Sequence, residues 1–82
     1  MKTLQYKDKT ITYDERAPKR WSVQRALAEG ETDPAAFYGA IDAIFGGPGK
    51  SNEVAEMFDD EAEAVMEILD RVSLAVGGSA KN

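Results

Sequence analysis

The sequence predicts an α+β protein, mostly α, with an N-terminal β-hairpin followed by three to four short helices. Three observations predict it. Residues 2–14 alternate apolar and polar side chains, the period of a strand. From Pro18 onward, apolar residues recur three and four positions apart, the period of a helix. Gly, Pro and Asp stand between these stretches, where helices stop and start. A single small domain is expected over 1–76, with a flexible tail at 77–82.

The hairpin is expected over 2–14. A two-residue turn at Asp8-Lys9 would pair Tyr6 with Ile11 and Leu4 with Tyr13, setting all four on one face. Asp-Lys is not a favoured turn pair, so the turn type stays open. A lone hairpin is marginal in water, so its apolar face must lie on the helices later in the chain.

The first helix is expected over 18–29, with Pro18 in its first turn and Gly30 at its end. Val23 and Leu27 share a face and Trp21 points nearly opposite. Trp21 either covers the hairpin or serves a partner. The second helix, 34–45, starts strongly, with Asp33 at the cap and Pro34 at the first helical position. Phe37, Ile41, Ile44 and Phe45 form its core stripe, with Tyr38 and Phe45 at the stripe's edge.

A third helix, 51–58, is expected to open at Ser51 and to turn Val54, Met57 and Phe58 inward. The last, 60–76, is expected to start on a capping box of Asp60 with Glu63. The acids of "DDEAE" there complement the helix dipole. A metal site is the alternative reading, but the run lacks the spacing of a calcium loop. Ala62, Val65, Met66, Ile68, Leu69, Val72 and Val76 make one broad face, and Leu74 lies opposite among acids.

One stretch imitates a nucleotide site. Gly46 to Ser51, "GGPGKS", ends like a phosphate-binding loop. That motif needs a second glycine five positions before Gly49, where Ile44 stands, and a strand before the loop, where a helix is expected. The reading is therefore a helix stop at Gly46-Gly47 and a helix start at Ser51.

Composition narrows the chemistry further. The 82 residues contain no cysteine and no histidine, which excludes disulfides, Cys/His zinc sites, His-assisted nucleophiles and histidine pH switches. No apolar run reaches the ~20 residues a membrane helix needs, and the N-terminus has no signal-peptide core. A soluble, intracellular protein is expected, with no catalytic, cofactor or metal residues and no small-molecule substrate. The net charge of −5 opposes nucleic-acid binding. Residues 1–28 carry seven basic and three acidic side chains, whereas residues 29–82 carry three and twelve. Such oppositely charged halves are either solvated faces or complementary ends that meet within the fold or between copies.

The order of elements and the phrases "RWSVQRALAEGE", "FYGAIDAIFGG" and "NEVAEMFDDEAEAVMEILDRV" resemble the small tail assembly chaperones of siphophages and prophages of Gram-positive bacteria. The likeness covers nearly the whole chain and rests on order and phrasing, not on a reactive motif. It implies a non-enzymatic helper that keeps the apolar tape-measure protein soluble during tail assembly. It also implies contacts with other tail proteins, self-association, residence in the host cytoplasm and absence from the mature virion. A longer frameshifted form is often made in that family. The residues expected to bind a partner are Trp21, Tyr38, Phe45 and Leu74, large apolar side chains at the edges of the helical stripes. The runner-up is a small acidic inhibitor that mimics nucleic acid against a host defence enzyme, using the carboxylates of 53–70. An enzyme is a distant third, since a carboxylate pair such as Asp59/Asp60 needs a cleft for acid–base work.

Overall fold

A computed structural model describes residues 1–76. The order is β1 (Lys2–Tyr6), β2 (Lys9–Tyr13), a 3-10 turn (Ala17–Lys19), α1 (Trp21–Ala28), α2 (Pro34–Ile44), α3 (Lys50–Met57) and α4 (Ala62–Ala75). This is an α+β protein, mostly α, with an N-terminal antiparallel hairpin and four helices.

The hairpin's register differs from the expected one by two residues. Leu4 pairs with Ile11, Lys2 with Tyr13 and Tyr6 with Lys9, so the turn is Lys7-Asp8. Lys7 takes φ 55°, a left-handed conformation that suits a tight hairpin turn. On the outer face Gln5 Nε2 donates to Thr10 Oγ1 at 2.7 Å across the strands, a bond the expected register would break. Because side chains alternate with period two, a slip of two leaves the faces unchanged. Tyr6, Ile11 and Tyr13 are buried on the inner face, with Leu4 half-buried.

The helix expected over 18–29 is two pieces. Arg20 is extended (ψ 138°) between the 3-10 turn and α1. Gln24 Nε2 donates to the Pro18 carbonyl across the break at 3.2 Å. Asp33 caps α2 as expected, its carboxylate accepting the Ala36 N–H at 3.2 Å. Gly30 is required by close approach, since a Cβ there would sit 2.8 Å from the Phe37 ring.

Two helix boundaries use different devices from those the sequence suggests. Gly49, at φ 81°, stands at the cap of α3, and Ser51 lies inside the helix. Asp59 and Asp60 are both left-handed, at φ 58° and 62°, and the Asp60 N–H returns to the Ala55 carbonyl at 2.8 Å. The pair therefore ends α3, and its backbone is not free to open α4. Glu61 takes the cap position of α4 without a side-chain bond, so the Asp60–Glu63 capping box does not form. Asp tolerates this conformation better than most residues.

The core joins all the elements in one cluster. Its fully buried side chains, Ile11, Ile41, Ile68 and Val72, come from β2, α2 and α4. The Asp14 N–H bonds to the Ile44 carbonyl at 2.7 Å and ties the hairpin to the end of α2. Tyr6 meets the edge of Phe58 at 5.3 Å, its hydroxyl donates to the Glu67 carboxylate, and the Arg71 guanidinium lies 5.2 Å from its ring. The buried face of α4 is Ala64, Val65, Ile68 and Val72. Leu69 and Val76 are half-buried, and Met66 and Ala62 turn outward. The tail expected at 77–82 lies outside the described residues. No helix among the described residues is long and apolar enough to cross a membrane.

Candidate partner-binding surface

The four residues expected to meet a partner divide three to one. Trp21, Tyr38 and Leu74 are 75%, 62% and 78% exposed. Trp21 therefore does not cover the hairpin. Phe45 is only 3% exposed and belongs to the core, so its assignment to a partner surface is corrected. The cause is the path of the chain beyond α2. The backbone reverses through Gly46 and Gly47, at φ 118° and 147°, and the strand leaving the hairpin is tied to this end of α2. An edge position on the helix thereby becomes an interior one.

Tyr38 stands over a depression that other apolar residues share. Phe37, Tyr38 and Ile41 from α2, Ala55 from α3 and Ala62, Val65 and Met66 from α4 line a groove of about 360 Å³. Its floor is core, since Ile41 and Val65 are buried. Its lip is exposed, with Tyr38 on one side and Met66, 46% exposed, on the other. The Tyr38 ring stands edge-on to Phe37 at 5.5 Å, which fixes the lip's height. Beyond that pair, Leu27, Ala28, Gly30 and Pro34 line a second, shallower depression that Phe37 and Tyr38 also border. The two share the Phe37–Tyr38 pair as a common wall, a divided and mainly apolar trough with an aromatic ridge. Trp21 and Leu74 line neither part.

Met66 is the functional candidate that sequence reasoning missed. Its spacing with Val65 and Leu69 placed it in the core, yet α4 buries Ala64 instead. The usable signal was the row Glu63, Met66, Asp70, where acids three and four positions away mark a wetted face.

The phosphate-loop mimic is occupied by the protein itself. The Asp42 carboxylate accepts the Ser51 N–H at 3.0 Å and the Ser51 hydroxyl. Burial pushes the Asp42 carboxyl up, but the bonds from Ser51 and the Gly49 N–H outweigh it and hold it below its ordinary value. The amides that would cradle phosphate thus face an internal anion.

Acids are dense on α3, on α4 and in the turn between them, where Asp60 also lines the groove. Glu56, Asp59, Asp60, Glu61, Glu63 and Asp70 are exposed and form no ion pair among the described residues. No three carboxylates there converge as a metal site would require, again among the described residues. No protein-family model, no curated protein and no solved structure matches the chain.

Proposed function

We propose that the protein is a non-enzymatic binding protein that holds an apolar segment of a longer client, acting as a tail assembly chaperone for a tape-measure protein. The observation that carries this reading is the groove between α2 and α4, whose exposed lip of Tyr38 and Met66 rises from a buried apolar floor. Contiguous exposed apolar surface marks an interaction site, and aromatic anchors carry much of the energy of such contacts. The sequence resemblance supplies the client, and the net charge of −5 suits a protein that must keep another in solution. In this reading the chaperone works in the host cytoplasm, associates with itself and other tail proteins, and is absent from the finished particle. Co-expression with a tape-measure protein tests it. The parent should keep the client in the soluble fraction, and Tyr38→Ala, folded normally, should release much of it. A parent that solubilises no such client removes the chaperone reading.

Glu56, Asp59, Asp60, Glu61, Glu63 and Asp70, exposed and without ion pairs among the described residues, favour the second reading, an acidic inhibitor that mimics nucleic acid. Its discriminating result is competition with a DNA duplex for a basic host enzyme, lost when Glu61 and Glu63 become Gln.

A further inference from the structure

We infer that the occupant of the trough is an amphipathic helix whose apolar stripe is bordered by lysine or arginine. This rests on the reading of the groove as the client site and adds the chemistry of the client.

Shape supplies the first part. The trough runs from Leu27 on α1, over the Phe37–Tyr38 ridge, to Met66 on α4. Two adjoining depressions divided by an aromatic pair match side chains spaced three, four and seven positions apart on a helix, with the ridge fitting between successive anchors. A strand added by backbone pairing has no place here, because no sheet edge borders the trough. Met66 suits a surface that must accept differing apolar anchors, since its thioether chain repacks easily.

Charge supplies the second part. The charged residues lining the trough are Glu31 and Asp60, and no lysine or arginine lines either half. On α4, Glu63 and Asp70 stand one turn to each side of Met66, but neither lines the trough, and Glu63 lines a different depression beside Tyr6. An apolar stripe entering the trough meets the carboxylates of Glu31 in one half and Asp60 in the other. Basic borders would be attracted and acidic ones repelled. A second copy of this chain is a poorer occupant. Its basic, aromatic-bearing helix α1 is eight residues long and exposes Trp21 as its one large apolar side chain. Arg20 and Arg25 beside it already face Asp14 and Glu29.

The test uses two synthetic helical peptides of about 20 residues, long enough to hold a helix. Both carry the same leucine stripe, bordered by lysine in one and glutamate in the other. Fluorescence anisotropy with the full chain should show the lysine peptide binding at least about tenfold tighter, with the gap narrowing as salt rises. Tyr38→Ala and Met66→Ala, both at exposed positions, should each weaken it severalfold while Trp21→Ala does not. Equal binding of the two peptides, or no binding of either, overturns the inference. So does binding that survives both trough substitutions, or a parent whose trough is closed by self-association that those substitutions relieve. If a tape-measure protein is solubilised but the peptides are not distinguished, the client chemistry fails and the chaperone reading stands. If the lysine peptide binds in the trough but no tape-measure protein is solubilised, the chaperone reading alone fails.

Discussion

Single residues decide two features that composition left open. Asp42 fills the amide cradle of "GGPGKS", so calorimetry with magnesium nucleotide should show no heat of binding. Asp42→Ala removes a charged acceptor from Ser51 and should cost roughly 1.5–3 kcal/mol in chemical denaturation. Because the folded carboxyl sits below its ordinary value of 3.8, its contribution is present above that pH and is lost as pH falls through the lower folded value. The parent's advantage over Asp42→Ala should therefore shrink in acid. The Tyr6–Glu67 bond spans a wider window. Its hydrogen bond to Glu67 raises the Tyr6 hydroxyl from 10.0, and the same bond lowers Glu67 from 4.5. Its contribution is present between those values. It fades as pH rises through the raised tyrosine value or falls through the lowered glutamate value. Tyr6→Phe should flatten both ends of the stability–pH curve, read by thermal melts.

At the scale of elements, Ile68 is the side chain to truncate. Phe37 and Leu69 bear the stripe pattern but are half-buried, whereas Ile68 is fully buried. Ile68→Ala should cost roughly 2–5 kcal/mol, against about 5–15 kcal/mol for a whole domain. Phe37→Ala should cost less, because part of its ring already meets solvent. Gly30→Ala should destabilise by roughly 1–3 kcal/mol, since the Phe37 ring must move to admit a methyl group. Element types were legible because alternation at 2–14 and the Asp33-Pro34 start are local signals. Register was less legible, because a slip of two preserves the inner face and only the Gln5–Thr10 pair chooses. The boundary at Asp59-Asp60 works the opposite way from its local signal. Acids before a helix usually cap it, but here the backbone of Asp60 closes the helix before it. Phe45 and Met66 exchanged roles because helical spacing ranks positions around an axis and is blind to what packs over each end.

Across the whole molecule, the basic first third and acidic remainder do not simply neutralise each other. Lys2 and Arg20 meet Glu15 and Asp14 locally, and such exposed pairs are worth little. If the halves attract between copies, sedimentation should show association that weakens as salt rises and screening shortens to about 8 Å at 0.15 M. An apolar contact through the trough would persist in salt. Amide chemical-shift mapping with an added client asks whether the groove between α2 and α4 is where the client sits. Shifts are expected at Phe37–Ile41, Ala55 and Ala62–Met66 with the hairpin amides unmoved. Shifts confined to Glu53, Glu56 and Asp59, with Tyr38 and Met66 unchanged, would overturn the groove reading and move the protein to the acidic-inhibitor class.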